Sequence, residues 1–431
     1  MKKIRVLMLG WEFPPIINGG LGVACLGISK ALSKHVHQQI ILPKSDPSIM
    51  LSNAQVIGLN EKTNIRVRET FQTDYYQGFY EVYTIESSID AYGTVGTLET
   101  AVKKPKTIRS EKSGKVKETY HPFVLDHLYG HDTSQKVIDY AYQTADLVQD
   151  WNFDIIHAHD WMTMLAGVEI KRRTGKPLVV HVHSLEYDRT GATGDNWVFS
   201  IEKLGMEEAD VVIPVSAYTS SIAQEIYHIS ADKIQPVHNG IDFKIPFKEK
   251  KTFPEKLVLF IGRLTQQKGP EYFLEVADRV LKSNPNTRFV IAGTGDKFQP
   301  LIETGAYKHI GTKVHFTGFL TREKVQELLS MADVYVMPSV SEPFGLSALE
   351  AAQFGVPCIV SKQSGVSEIL TGAITVDYWD VSAMVKYIQL VLSDADLANT
   401  MSKNAEADAA LCTWDRTAEE IKNIYRSILN S

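Results

Sequence analysis

Residues 341–361 (SEPFGLSALEAAQFGVPCIVS) carry two glutamates, Glu342 at the end of an apolar strand and Glu350 inside the helix that follows. Eight residues of helix rise about 12 Å, whereas paired carboxylates that work on one glycosidic bond stand about 5 to 9.5 Å apart. The two glutamates are therefore expected to hold opposite ends of one elongated ligand, Glu342 the hydroxyls of a sugar and Glu350 a vicinal diol such as that of a ribose. Between them the backbone N–H groups of Phe344, Gly345 and Leu346 open the helix and suit a diphosphate. The plain alternative is a helix-capping Glu342 and an exposed helical Glu350.

Arg263 and Lys268, in GRLTQQKG, also follow a strand and precede a helix. Two cations at that place would stabilise a leaving diphosphate as its bond to a sugar stretches. Alone, the segment also reads as a solvated basic loop. Asn18, Gly19, Gly20, Leu21 and Gly22 form a glycine-rich turn at a helix start, able to bring amides close to phosphate or simply to bend. HAHDW places His157, His159, Asp160 and Trp161 at a strand end, and VHVHS places His181 and His183 at another. No third ligand stands nearby in sequence at a His or Cys spacing, so no essential metal is expected. His159 is expected near the sugar and His157 in a structural place. Asp394 and Asp396 look like a metal-binding DxD pair, but the start of a helix explains them as caps.

These side chains need a scaffold that brings distant segments together. KIRVLMLG, FDIIHAHD, PLVVHVHS and ADVVIPVS, then LVLFIG, RFVIAGTG, ADVYVMPS and VPCIVS, are short apolar runs separated by helical patterns. Such alternation predicts parallel sheets covered on both faces. Ligands of these sheets sit beyond the carboxyl ends of the strands, which is where His159, His183, Gly293, Ser339 and Glu342 fall. Two halves begin alike, with strand, loop and helix at residues 3–35 and again at 257–282, the second helix opening on Pro270. The change between halves falls near residues 237–251. Residues 60–120 are less regular, and within them 103–117, rich in Lys, Ser and Gly, read as a solvated loop or as one that touches a polyhydroxyl or anionic acceptor. The closing TWDRTAEEIKNIYRSILN is an amphipathic helix that Thr413 or Asp415 can cap.

A chain of 431 residues is too long for one hydrophobic core, so two domains are expected. A net charge of −6 argues against a general nucleic-acid binder. Three scattered cysteines suit a reducing compartment better than a disulfide framework. The first apolar run meets Glu12 and two prolines with no small-residue cleavage site, and no 18-residue apolar stretch follows. The cytoplasm is the expected location.

Taken together, GGLG, HAHDW, GRLTQQKG, GTG and EPFGLSALE resemble the GT-B glycosyltransferases over nearly the whole chain. The likeness is to the large retaining family that includes sucrose-phosphate synthases and many mannosyl- and glucosyltransferases, with a first half similar to glycogen and starch synthases. It implies an α/β fold of two Rossmann-like, doubly wound domains facing across a cleft. The first, residues 1–243, would lie on the acceptor side and the second, 244–412, would hold the donor, while 413–431 would cross back to the first. Carried onto this chain, the resemblance puts Arg263, Lys268, Gly19 and Gly20 on the donor phosphates. His159 and Glu342 then meet the donor sugar and Glu350 the ribose, with Gly293, Phe344, Gly345 and Leu346 completing the donor site. It implies a nucleotide-sugar co-substrate and no other cofactor or divalent ion. Ile17 stands where bacterial and archaeal glycogen synthases carry lysine, and Phe344 where bacterial ones often carry cysteine, which leaves acceptor and donor base open. HAHDW followed by HSLEYDRTG still looks like the glucan-synthase side, with UDP- or ADP-glucose as donor and an α-1,4-glucan as acceptor. The competing readings are transfer to a cell-surface polysaccharide or lipid precursor, a nucleotide-sugar epimerase, a phosphorylase and a non-catalytic sugar-binding protein.

Overall fold

The computed structural model describes residues 3–17, 19–46, 48–61, 66–67, 119–120, 128, 130, 132–191, 196–242 and 251–430, so Asn18 and the 103–117 stretch lie outside the described residues. The apolar runs become two six-stranded sheets in which every pairing is parallel. In chain order the strands are β1 (Arg5–Leu9), β2 (His37–Leu42), β3 (Ala54–Gly58), β4 (Arg66–Val67), β5 (Thr119–Tyr120), β6 (Ile155–His159), β7 (Leu178–Val182) and β8 (Val211–Pro214). β9 (Lys256–Ile261), β10 (Thr287–Ala292), β11 (Val314–Gly318), β12 (Val334–Met337), β13 (Cys358–Ser361) and β14 (Ile374–Val376) make up the second half. The first sheet runs β3-β2-β1-β6-β7-β8 and the second β11-β10-β9-β12-β13-β14, while β4 and β5 form a small antiparallel pair. In each large sheet the first strand of that half is internal and the chain reverses direction beside it. The carboxyl ends of β1 and β6, and of β9 and β12, are thus the places where a crevice opens.

β6, β7, β12 and β13 are buried at every residue, which is what near-continuous Val and Ile runs dictate when helices cover both faces. One hydrophobic core fills the N-terminal half and two separate clusters fill the C-terminal half. Pro270 opens the Pro270–Ser283 helix, where its missing N–H costs nothing. Asp394 caps the Ala395–Leu411 helix, its Oδ1 accepting from Asp396 N at 3.0 Å and Leu397 N at 2.9 Å, so the DxD pair belongs to a helix start.

The last helix, Trp414–Asn430, joins the N-terminal core through Trp414, Ala418, Ile421, Ile424 and Tyr425. Thr413 caps it, with Oγ1 accepting from Arg416 N at 3.3 Å. Trp414 lies so close over the Gly20–Leu32 helix that a Cβ on Gly27 would stand 2.2 Å from the indole. Ile241 N donates to Cys412 O at 3.0 Å, so the chain's crossing into the second half and its return run side by side. Among the described residues no helix is long and apolar enough to cross a membrane.

Candidate functional site

The carboxyl ends of the two sheets face each other across a cleft of about 320 Å³. On the N-terminal side the Gly20–Leu32 helix begins at the cleft wall. A Cβ on Gly19 would meet nothing within 4 Å, and one on Gly20 would stand 3.9 Å from Leu346 Cδ1, at the start of the opposite Leu346–Gln353 helix. Two helix N-termini with unpaired N–H groups therefore face one another, an arrangement that favours a group with several negative oxygens. Glu12 also lines the wall, and its Oε2 accepts from Gly19 N at 3.2 Å.

On the C-terminal side Lys268 Nζ stands 2.6 Å from Glu342 Oε2, with Arg263 lining the same wall. Two backbone contacts fix that pair. Val340 N donates to Gln267 O at 2.8 Å, and Glu342 N donates to Gln363 O at 2.9 Å. Gly269, at φ +63°, lets the loop pass so near β12 that a Cβ there would lie 2.2 Å from Pro338 O. Phe344, Gly345, Leu346 and Glu350 continue the wall. The helix starts only at Leu346, so the stretch from Glu342 to Glu350 is part loop and part helix. Glu350 is half-buried, and that burial raises its carboxyl pKa against the pull of Arg322.

The histidines occupy a different arrangement from the expected one. His159 is fully buried and does not line the cleft; His183 does. The register explains this: His159 pairs with His181, so His183 lies two residues further along the chain and overhangs His159. The two rings are joined by a 2.9 Å hydrogen bond between His159 Nδ1 and His183 Nε2. His157 sits deeper, hydrogen-bonded at 2.5 Å to the hydroxyl of Tyr425 on the last helix. All four rings stack, and burial lowers each pKa, that of His159 to about 3, so the column is neutral.

Gly293 is also displaced from its expected place. It is absent from the cleft wall and packs instead on the backbone of Gly262, where a Cβ would lie 1.9 Å from Gly262 O. It allows β10 to close against the loop that carries Arg263.

Asp160 lines the cleft with an unusual backbone, φ 58° and ψ 172°. Its Oδ1 accepts from His183 N at 2.7 Å and Ser184 N at 3.4 Å, while burial pushes its pKa up to about 7. Beside Glu342 and Glu350, the fold brings two further acids, Asp160 and Glu12, to the cleft wall.

Two groups of side chains have ligand atoms within 4.8 Å of one another: Cys25 with His159 and His183, and His157 with His159 and His181. Cys25 is the third donor that sequence spacing did not bring near the histidines; it comes from the Gly20–Leu32 helix.

The halves also meet beside the cleft. Ser341 Oγ donates to Asp188 Oδ1 at 2.5 Å and lies 2.9 Å from the Tyr218 hydroxyl. Ser216 Oγ donates to Pro343 O at 2.6 Å. Glu368 accepts from Ala217 N at 3.0 Å and Tyr218 N at 2.7 Å, at the start of the Ala217–Glu225 helix, and pairs with His238 Nε2 at 2.9 Å. Ser341, Pro343 and Glu342 are consecutive or nearly so, so these contacts tie the position of Glu342 to closure of the halves.

Residues 242–408 match the family model described as glycosyl transferases group 1, and residues 104–244 match glycosyltransferase family 4. An uncharacterized glycosyltransferase of Methanocaldococcus jannaschii is 27% identical over 444 residues, covering 98% of each chain. A glycogen synthase of Mycobacterium tuberculosis is 27% identical, covering 98% of this chain and 94% of the relative. Among solved structures, sucrose-phosphate synthase from Thermosynechococcus elongatus superposes with a TM-score of 0.71 at 18% identity, over 99% of this chain and 100% of that one. The catalytic domain of starch synthase IV from Arabidopsis thaliana, bound to ADP and acarbose, superposes with a TM-score of 0.69 at 16% identity, over 100% of each.

Proposed function

Because the chain belongs to the GT-B glycosyltransferases and is related to glycogen and sucrose-phosphate synthases, we propose that it moves glucose, with retention, from UDP- or ADP-glucose to an α-1,4-glucan. The observation that carries this reading is the Lys268–Glu342 pair set in one cleft with two facing helix N-termini and Glu350. That set offers a separate partner to each part of a sugar nucleotide. The diphosphate lies between the Gly20 and Leu346 helix starts, with Arg263 and Lys268 taking up charge as the glycosidic bond lengthens. Glu342 accepts from hydroxyls of the sugar and Glu350 from those of the ribose. His183, held by Asp160 and His159, lies against the sugar from the opposite domain.

Retention follows when the acceptor hydroxyl enters on the face that the diphosphate leaves, its proton passing to the departing phosphate oxygen. A covalent route would need an ionised carboxylate on the other face. Asp160, with a pKa near 7, is poorly suited to be that anion at neutral pH, and Glu12 is engaged by Gly19 N. Three free cysteines support a reducing compartment, the cytoplasm, as the place of the reaction.

The test is a donor panel of UDP-, ADP- and GDP-sugars incubated with maltooligosaccharides, with products read by mass. A ladder of added hexoses is the expected result. Nucleotide release that needs no acceptor would favour an epimerase, and phosphate-dependent release of sugar phosphate a phosphorylase; either outcome rejects the proposal.

A further inference from the structure

Among the described residues the C-terminal half exposes three large aromatic residues, Tyr307, Phe319 and Trp379. Single exposed apolar side chains are ordinary on a protein surface. Trp379 differs from the other two because it is braced. Its ring lies 4.7 Å from Tyr378 at 86°, and Tyr378 lies 5.3 Å from Tyr272 at 69°. Tyr272 in turn packs against the second hydrophobic core. The three rings therefore form a row running from the core to the surface, and Trp379, 57% exposed, is its outer end.

The backbone beneath this row is equally fixed. Asp380 N donates to Asp377 O at 2.9 Å and Val381 N to Trp379 O at 3.0 Å, which closes a turn with Trp379 near its apex. Asp380 then caps the Val381–Ser393 helix through Ala383 N at 2.9 Å. An exposed indole held this way loses little freedom when something stacks on it.

Two connections lead from the aromatic row to the cleft. Tyr272 lies against Gly269, whose added Cβ would be 3.1 Å from the ring, and Gly269 follows Lys268. Asp377, next to Tyr378, accepts from Lys362 Nζ at 3.0 Å and Gln363 Nε2 at 3.1 Å, and Gln363 O accepts from Glu342 N. Lys268 is thus one residue from a glycine that touches the row, and Glu342 is joined to it through two hydrogen bonds by way of Gln363 and Asp377. A flat aromatic face beside polar side chains that can reach hydroxyls matches the chemistry of a pyranose, which has apolar C–H faces and a hydroxyl rim.

We propose that Trp379, braced by Tyr378 and Tyr272 and rimmed by Asp377, Lys362 and Gln363, is a stacking platform for a glucose unit of a long glucan, at the edge of the donor cleft and outside it. The proposal rests on the glucan reading above. Its role is to retain a long acceptor between successive transfers, so it contributes to binding of polymer and not to the chemical step.

The test is electrophoresis of wild type, Trp379→Ala and Phe319→Ala through native gels containing glycogen, beside kinetics with maltotriose and with glycogen. The expected result is retardation of wild type and Phe319→Ala, a loss of retardation in Trp379→Ala corresponding to about a 5- to 10-fold weaker Kd, and a similar rise in KM for glycogen. Turnover on maltotriose should change less than about 2-fold, because the platform residues do not line the cleft in which the transfer takes place. Retardation of Trp379→Ala equal to wild type, or no retardation of wild type, overturns the platform. Failure of wild type to extend maltotriose with any donor overturns the glucan reading instead, so the two failures are separable.

Discussion

Lys268 Nζ and Glu342 Oε2 are 2.6 Å apart, so the cation assigned to the donor diphosphate is neutralised, before any ligand binds, by the carboxylate assigned to the donor sugar. Donor binding must divide that pair between two parts of one molecule. Lys268→Ala and Glu342→Gln are each expected to lower kcat on the order of 100-fold or more. Because the two groups act through one contact, the double variant should lose less than the product of the single losses. Steady-state kinetics on the four proteins tests this. Strictly multiplicative losses would mean that the pair does not act as a unit.

His183 and His159 separate positioning from contact. His183→Ala removes the half-buried imidazole at the cleft wall and should lower kcat on the order of 10-fold; water from the cleft can then reach His159 Nδ1 in its place, so the melting temperature should change little. His159→Ala empties a fully buried position and leaves the half-buried His183 Nε2 without its 2.9 Å partner, and should cost about 1 to 3 kcal/mol of stability. Thermal melts beside kcat distinguish them. A larger kcat loss from His159→Ala in a normally stable protein would return the contact to His159.

How much of this was legible in sequence differs by kind of signal. The inner strands β1, β6, β7, β9 and β12 stand out because burial on both faces leaves them almost wholly apolar. β2 (HQQIIL), β11 (VHFTG) and β14 (ITV) lie toward or at the sheet edges, mix in polar residues or are very short, and gave no such run. The cleft motifs were legible because each sits just after a strand. Which of two alternating histidines reaches the cleft depends on strand register, and pairing between β6 and β7 leaves no trace in the spacing of either segment. The contacts of Ser341 with Asp188 and of Glu368 with the Ala217 helix join segments more than a hundred residues apart and follow no periodicity.

Asp160 should make stability depend on pH in one direction. Burial raises its native pKa to about 7, above the unfolded value of about 3.9. Between those values the native state holds one proton more than the unfolded state, so this group's contribution is greatest at low pH and is lost as pH rises through about 7. Asp160→Asn removes that dependence, so its melting temperature should gain on wild type as pH rises from 5 to 8. The same replacement, assayed with azide, should yield no glycosyl azide. Formation of one would point to a covalent intermediate on Asp160.

Glu368 should act in the opposite direction. Burial pushes its pKa up, but hydrogen bonds from His238, Ala217 N and Tyr218 N outweigh it and hold the carboxyl below the usual range. Its contribution is then present above the unfolded carboxyl pKa and lost as pH falls through the lower folded value. Glu368→Gln should flatten the acid limb of the stability profile and loosen the closed arrangement by about 1 kcal/mol. It should also increase hydrolysis of the sugar nucleotide relative to transfer, since closure excludes water. An unchanged ratio of hydrolysis to transfer would show that this contact does not govern closure.

Gly293 and Gly19 look alike in sequence, each a glycine after a strand near the site, yet their surroundings predict opposite outcomes for alanine. At Gly293, φ is +141° and a Cβ would lie 1.9 Å from Gly262 O, so alanine is strained in its own backbone and collides with a neighbouring one. Gly293→Ala should cost about 3 kcal/mol or more and shift the loop that carries Arg263, lowering both stability and donor affinity. At Gly19 the backbone is extended, with φ −167°, and a Cβ meets no protein atom within 4 Å. Gly19→Ala should therefore melt like wild type, while its methyl group projects into the space assigned to the diphosphate. The expected result is a rise in KM for the donor on the order of 10-fold, with the acceptor KM unchanged. A normal donor KM in Gly19→Ala would move the phosphates away from the Gly20 helix, and with them the reason for that helix to begin at the cleft wall.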